Sequence, residues 1–177
     1  MPGDLIGERV TLYPYLRQHS PRDMIYLLWL LIERENDWRN IFWADTLEPD
    51  WTIGDLPYFV HYVHGLDPKI WFMIVDNDTN ALIGAVWFAN LKDGEAEGNM
   101  WMARGHRHKA REVTHLATKE GFRQGFTAIN CITPHIRVAN MLWKCGYGFE
   151  HPKTSPWHLR KENYGKIQCA EDRRIAV

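Results

Sequence analysis

Apolar positions change their spacing several times along the chain, and each change marks an element. Over 8–16 (ERVTLYPYL), Val10 and Leu12 alternate with polar or aromatic residues. This predicts a first strand, placed near a sheet edge because Pro14 cannot donate to a ladder. Ser20 and Pro21 offer a cap and a first-turn proline, and Asp23 adds a favourable charge at a helix start. The helix they open, over 21–35, is apolar on most faces through Met24, Ile25, Leu27, Leu28, Leu31 and Ile32. A second helix over 54–65 places Leu56, Phe59, Val60 and Val63 on one stripe. The segment 38–51 between them reads as a loop rich in Trp, Asp and Pro.

The middle of the chain has strand character. The continuous apolar run 70–75 (IWFMIV) predicts a central strand, and the turn-forming string Asp76-Asn77-Asp78-Thr79-Asn80 returns it as a hairpin into 82–89 (LIGAVWFA). Lys92-Asp93-Gly94 gives a second turn, and 95–103 a third strand. A helix follows over 107–124, with Ala110, Val113, Leu116 and Ala117 on its buried stripe and Gly125 as its C-cap. A strand over 127–133, a helix over 134–144 and a strand pair within 147–161, broken by Pro152 and Pro156, complete the order. The resulting string β, α, α, β, β, β, α, β, α, β, β predicts an α/β fold. Its mixed central sheet has an antiparallel meander followed by a βαβ unit, with helices on both faces.

Composition narrows the function classes. At 177 residues the chain fits a single domain over 1–177, with a C-terminal tail from about 166. Lys plus Arg is 21 and Asp plus Glu is 22, so the net charge is -1, which argues against phosphate-driven nucleic-acid binding. Cys131, Cys145 and Cys169 form no CxxC pair, so neither a disulfide framework nor a metal site is expected. His61 with His64, and His106 with His108, lack partners at ligand spacing. Ser20 and Ser155 have no His or Asp context for a nucleophile. The start of the chain carries Asp4 and Glu8 and does not resemble a signal peptide. The longest apolar stretch, 25–32, is far short of the roughly 20 residues a membrane span needs. A cytoplasmic location is expected. Aromatic residues, at 13% of the chain, are in excess and call for a heavily packed core or a partner surface.

Several strings together resemble the GNAT superfamily of acetyl-CoA-dependent N-acetyltransferases, in particular its ribosomal-protein N-acetyltransferase-like branch. Gly7-Glu8-Arg9-Val10-Thr11-Leu12 is similar to that branch's opening strand, and Leu82-Ile83-Gly84 to its entry into a later one. Ala96-Glu97-Gly98-Asn99-Met100-Trp101 stands where the branch has an acidic residue followed by an aromatic strand. Lys144-Cys145-Gly146-Tyr147 is similar to the Lys-x-Gly-Phe ending of the last helix. The resemblance covers about residues 5–165 and implies a GNAT fold.

It also implies a site. The acetyl-CoA co-substrate would lie where two parallel strands splay, with Met100, Trp101 and Met102 forming the strand edge that pairs with the pantetheine. Its pyrophosphate would rest on the loop 104–110 through Arg104, Arg107, His108, Lys109 and Ala110, with His135 contacting the cofactor from the last helix. Glu97 is the implied base that takes the amine proton, directly or through water. The sequence departs from the family at four places. His108 stands for the usual inner glycine, Gly105 for a Gln or Arg, Leu142 for the Tyr that protonates the leaving thiolate, and His135 for an Asn. Trp38, Trp43 and Trp51 fall in the region that lines the acceptor-amine side; core packing or docking of a protein partner would also account for them.

A second resemblance is to phage-encoded GNAT-like proteins, through Thr133-Pro134-His135-Ile136-Arg137 and the Gly146 that follows. Two readings result. One is an N-acetyltransferase acting on a primary amine of a small molecule or protein. The other is a catalytically inactive GNAT-like structural or interaction protein, an internal virion or assembly component, located in the virion. Either could form a homo-oligomer. Neither implies a metal, a membrane or a nucleic acid.

Overall fold

The meander of 70–103 is the centre of the molecule, and the remaining elements add to its edges and faces. A computed structural model of the chain describes residues 3–15, 22–35, 57, 70–131, 136–149, 157–160 and 163–164. The predicted 54–65 helix (Pro57 aside) and the 38–51 loop lie outside the described residues. Strands β1 (Leu5–Ile6), β2 (Val10–Pro14), β3 (Ile70–Asp76), β4 (Leu82–Lys92) and β5 (Glu95–Met102) pair antiparallel in chain order. Strand β6 (Ala128–Cys131) then runs parallel to β5. With β7 (Gly148–Phe149) and β8 (Trp157–Arg160) the eight-stranded order is β1-β2-β3-β4-β5-β6-β8-β7.

Side chains alternate across the pleat, so β3 and β4 are apolar at both phases over 70–75 and 82–89, where they serve two cores. One face carries Trp71, Met73, Ala85, Trp87 and Trp101, and α1 (Arg22–Glu35) covers it with Ile25, Leu28, Trp29 and Ile32. Trp71 and Trp87 are register partners and stack with ring centroids 4.5 Å apart at 10°. The other face carries Phe72, Ile74, Val86, Phe88, Ala96 and Met102 beneath α2 (Ala110–Arg123) and α3 (Ile136–Lys144). Each fully buried Val, Leu, Ile or Phe in these layers contributes roughly 1.5–3 kcal/mol. Helices do lie on both faces, as the pattern predicted.

Three differences from the predicted elements have physical causes. Strand β1 is two residues long, too short to carry a period, and is turned into β2 by the Gly7 N–H donating to the Val10 carbonyl (2.8 Å). Strand β4 runs past Ala89 to Lys92, where the register shifts before the Asp93-Gly94 turn, both of whose residues have positive φ. The helix expected from Arg107 begins as a 3₁₀ stretch, Arg104–Lys109, and becomes α-helical only at Ala110.

Candidate functional site

Among the described residues, strands β5 and β6 pair at Glu95↔Ala128, Ala96↔Ile129 and Glu97↔Asn130. On its other edge β5 stays paired with β4 as far as Gly84↔Met102. Among the described residues, the pairing of β5 with β6 ends at Glu97. Gly98 is the next residue, and close approach explains its identity. A Cβ at Gly98 would stand 3.1 Å from Cys131 Sγ, 3.1 Å from Ile129 Cγ2 and 3.5 Å from Phe88 Cε1. A side chain there would need the Cys131 and Ile129 side chains to give by a few tenths of an ångström.

Alternation sorts the remaining residues of β5. Glu95, Glu97, Asn99 and Trp101 share the α1 face, where the Asn130 Nδ2 donates to Glu95 Oε2 (3.2 Å). Glu97 is half-buried there at the end of that pairing. Met100 and Met102 turn to the α2 face, Met102 fully into the core and Met100 against it. The side chains of Trp101 and Met102 are thus core.

The loop that follows β5 is tied inward on three sides. The Arg104 N–H donates to both carboxylate oxygens of Glu35 (3.1 and 2.8 Å), and Arg104 Nη2 donates to the Glu35 carbonyl (3.2 Å). The N–H of His106 donates to the Ala103 carbonyl, and that of Ala110 to the Arg107 carbonyl, as 3₁₀ geometry requires. Lys109 is buried; its Nζ donates to Asp76 Oδ2 (2.8 Å) and Asp78 Oδ2 (3.2 Å). His106 Nδ1 lies 3.0 Å from the same Asp76 oxygen. The Lys109 hydrogen bond holds the Asp76 carboxyl down at about 2, against the opposing pull of burial, and Asp76 in turn holds the Lys109 ammonium charged. Arg104, Arg107, His108 and Arg111 are exposed, and Arg107 Nε donates back to the Met102 carbonyl (3.3 Å).

The structure brings Glu97, Met100, Trp101 and Met102 onto one strand, and Arg104, Arg107, His108, Lys109 and Ala110 into the loop at its end. His135 lies outside the described residues, as do Trp38, Trp43, Trp51, His61, His64, Ser20 and Ser155. The ammonium of Lys109 has a structural use that the sequence reading did not anticipate. Leu142 is buried beneath α2, while His108 and Trp143 are exposed.

Sequence reasoning also missed a buried group at the end of β6. Gly146, at φ 90°, ends α3, and the Tyr147 N–H closes back on the Leu142 carbonyl (3.0 Å). This turn drives the Tyr147 ring into the core, where its hydroxyl lies 2.8 Å from Thr118 Oγ1 and hydrogen-bonds the Cys131 thiol. Burial pushes Tyr147 well above the ordinary phenol value, and pushes the Cys131 thiol up to about 12. The phenol suits a fixed hydrogen-bond donor better than a proton source. The helix-ending glycine followed by an aromatic was the signal for it.

No protein-family model matches the sequence, and no curated protein matches it. Solved structures do. A GCN5-related N-acetyltransferase from Brucella melitensis superposes with a TM-score of 0.68 at 13% identity, over 96% of this chain and 84% of that one. The chain has the GNAT fold. The spermidine/spermine N-acetyltransferase of Vibrio cholerae gives 0.67 at 17% identity, covering 92% and 99%. A Vibrio cholerae protein provisionally assigned as a ribosomal-protein-serine acetyltransferase gives 0.61 at 14%, covering 89% and 97%. Among the described residues no helix is long and apolar enough to cross a membrane.

Proposed function

We propose that the chain is an acetyl-CoA-dependent N-acetyltransferase acting on a primary amine of a small molecule or protein. The observation that carries this reading is that the described pairing of parallel strands β5 and β6 ends at Glu97, which sets a half-buried carboxylate at the end of that ladder. The GNAT fold and its acetyltransferase neighbours support it.

The residues present fit acetyl-CoA unequally. An extended pantetheine arm would pair along the β5 edge beyond Glu97. At the loop, the amides of Arg104, His106 and Ala110 and the Lys109 ammonium are already engaged. The phosphates would meet the exposed side chains of Arg107, His108 and Arg111 at this loop, in place of a glycine nest. When bound, acetyl-CoA supplies the activated acyl group. Glu97 accepts the proton of the amine, directly or through one water, and the exposed cations orient the phosphate end. The acceptor approaches from the α1 face, because that is the face Glu97 shares.

The inward ties of the loop favour a second reading, a non-catalytic GNAT-fold interaction protein. One assay separates the two: release of free thiol from acetyl-CoA in the presence of spermidine or of a short peptide with a free N-terminus. Amine-dependent release is expected, and Glu97→Gln lowers its rate by about 10²–10⁴ with acetyl-CoA affinity unchanged. Release that survives Glu97→Gln intact would remove Glu97 as the base. No release with any amine leaves the non-catalytic reading in place.

A further inference from the structure

We infer that Asp76 and Lys109 are positioning residues for the phosphate end of the donor, their buried ion pair fixing how the start of α2 is turned. The inference rests on the acetyltransferase reading and deepens it. Lys109 is the residue at which the 3₁₀ stretch becomes α-helix. Residues two positions apart on a helix lie on roughly opposite sides. A Lys109 drawn into the protein therefore turns both Arg107 and Arg111 outward. The structure has this arrangement, with Lys109 buried and the two arginines exposed. Among the described residues no side chain caps the start of α2, so the orientation of its first turn depends on ties to other elements.

The anchor is itself held. Asp76 ends β3, and its carboxylate accepts from Lys109 Nζ (2.8 Å) and from the Asp78 N–H (2.9 Å). The neighbouring Asn77 locks the turn to the β1–β2 connection. Its Nδ2 donates to the carbonyls of Gly7 (3.1 Å) and Glu8 (3.2 Å), its N–H donates to the Arg9 carbonyl (3.0 Å), and its Oδ1 accepts from Thr11 Oγ1 (2.8 Å). Arg9 then reaches α2, its N–H and Nε donating to the Glu112 carboxylate (2.9 and 3.0 Å). The first turn of α2 is thus gripped at Lys109 and again at Glu112. The same contacts settle the charge: Lys109 answers Asp76 and Asp78, and Arg9 answers Glu112. That lowers the repulsion these carboxylates would exert on an incoming phosphate.

The test is calorimetric titration with acetyl-CoA at pH 7 of the wild type, Asp76→Asn, and Asp76→Asn combined with Lys109→Met, each also scanned for its melting temperature. Asp76→Asn releases the ammonium from its buried partner and loses the anchor. It should bind acetyl-CoA at least about tenfold more weakly, since an untied helix start has to be ordered on binding. The double variant removes the stranded charge, so its melting temperature should return towards the wild-type value while its affinity stays low. Undiminished affinity in Asp76→Asn overturns the inference, because the ammonium then serves the phosphates directly or the loop needs no anchor. Affinity that recovers with the melting temperature in the double variant overturns it too, as the pair then acts on the fold alone. Should Asp76→Asn not fold, the double variant decides, wild-type affinity overturning the inference and weakened affinity supporting it. In all these cases wild-type binding leaves the parent reading standing. If the wild type does not bind acetyl-CoA, the acetyltransferase reading falls and the inference falls with it.

Discussion

Asp76 ends an apolar strand with its side chain inside the protein, and it can stay there charged only because Lys109 comes in with it. The carboxyl accepts from Lys109 Nζ at 2.8 Å and from the Asp78 N–H at 2.9 Å, with His106 Nδ1 at 3.0 Å. Removing one partner of such a pair strands the other, at a cost of about 3 kcal/mol or more. Asp76→Asn is therefore expected to lower unfolding stability by that amount, measured by urea denaturation at pH 7. Adding Lys109→Met should recover much of the loss. The sign with pH follows from the depressed value of about 2, below the ordinary 3.8. The folded state gains stability from Asp76 above the ordinary value, and loses it as pH falls from about 4 towards 2. Asp76→Asn should show a correspondingly shallower acid loss; an identical acid limb in both proteins would contradict this account.

At the scale of elements, α1 and the loop after β5 are joined through Glu35 and Arg104, the Glu35 carboxylate accepting from the Arg104 amide and its carbonyl from Arg104 Nη2. That contact ties the end of the helix on the acceptor face to the start of the loop on the donor side. Glu35→Ala is expected to raise amide exchange at Arg104 about tenfold, the worth of one charge-assisted bond, while β3 and β4 exchange as before. The elements themselves were largely legible. The period-two and continuous apolar runs located β2 to β5, and the turn strings between them were right. Gly125 ended α2 as predicted. The 3₁₀ stretch was not legible, because nothing in Arg104-Gly105-His106-Arg107-His108-Lys109 says that Lys109 will turn inward to a carboxylate 33 residues earlier. Asp76 and Asp78 looked like turn chemistry, which they also are. Glu97 was singled out because its strand resembles a known one. Cys131 and Tyr147 were not, since their meeting depends on the β6 end and the α3 C-cap converging in space.

Over the whole molecule, the aromatic excess resolves into layers. Trp29, Trp71, Trp87 and Trp101 fill the α1 side of the sheet, and Phe72, Phe88, Phe122 and Phe126 the other. These two cores hold the described sheet from both faces. The charge is divided, with exposed Arg104, Arg107, His108 and Arg111 beyond one end of β5 and Glu95 and Glu97 at the other. On the proposed reading, an anionic donor would enter at the basic end and a cationic amine at the acidic one. Calorimetric titration with acetyl-CoA tests this most directly. Binding with a Kd of about 1–100 µM is expected, in the range of enzyme substrates, weakened at least tenfold by Arg107→Glu with Arg111→Glu. No heat at millimolar acetyl-CoA would contradict the account.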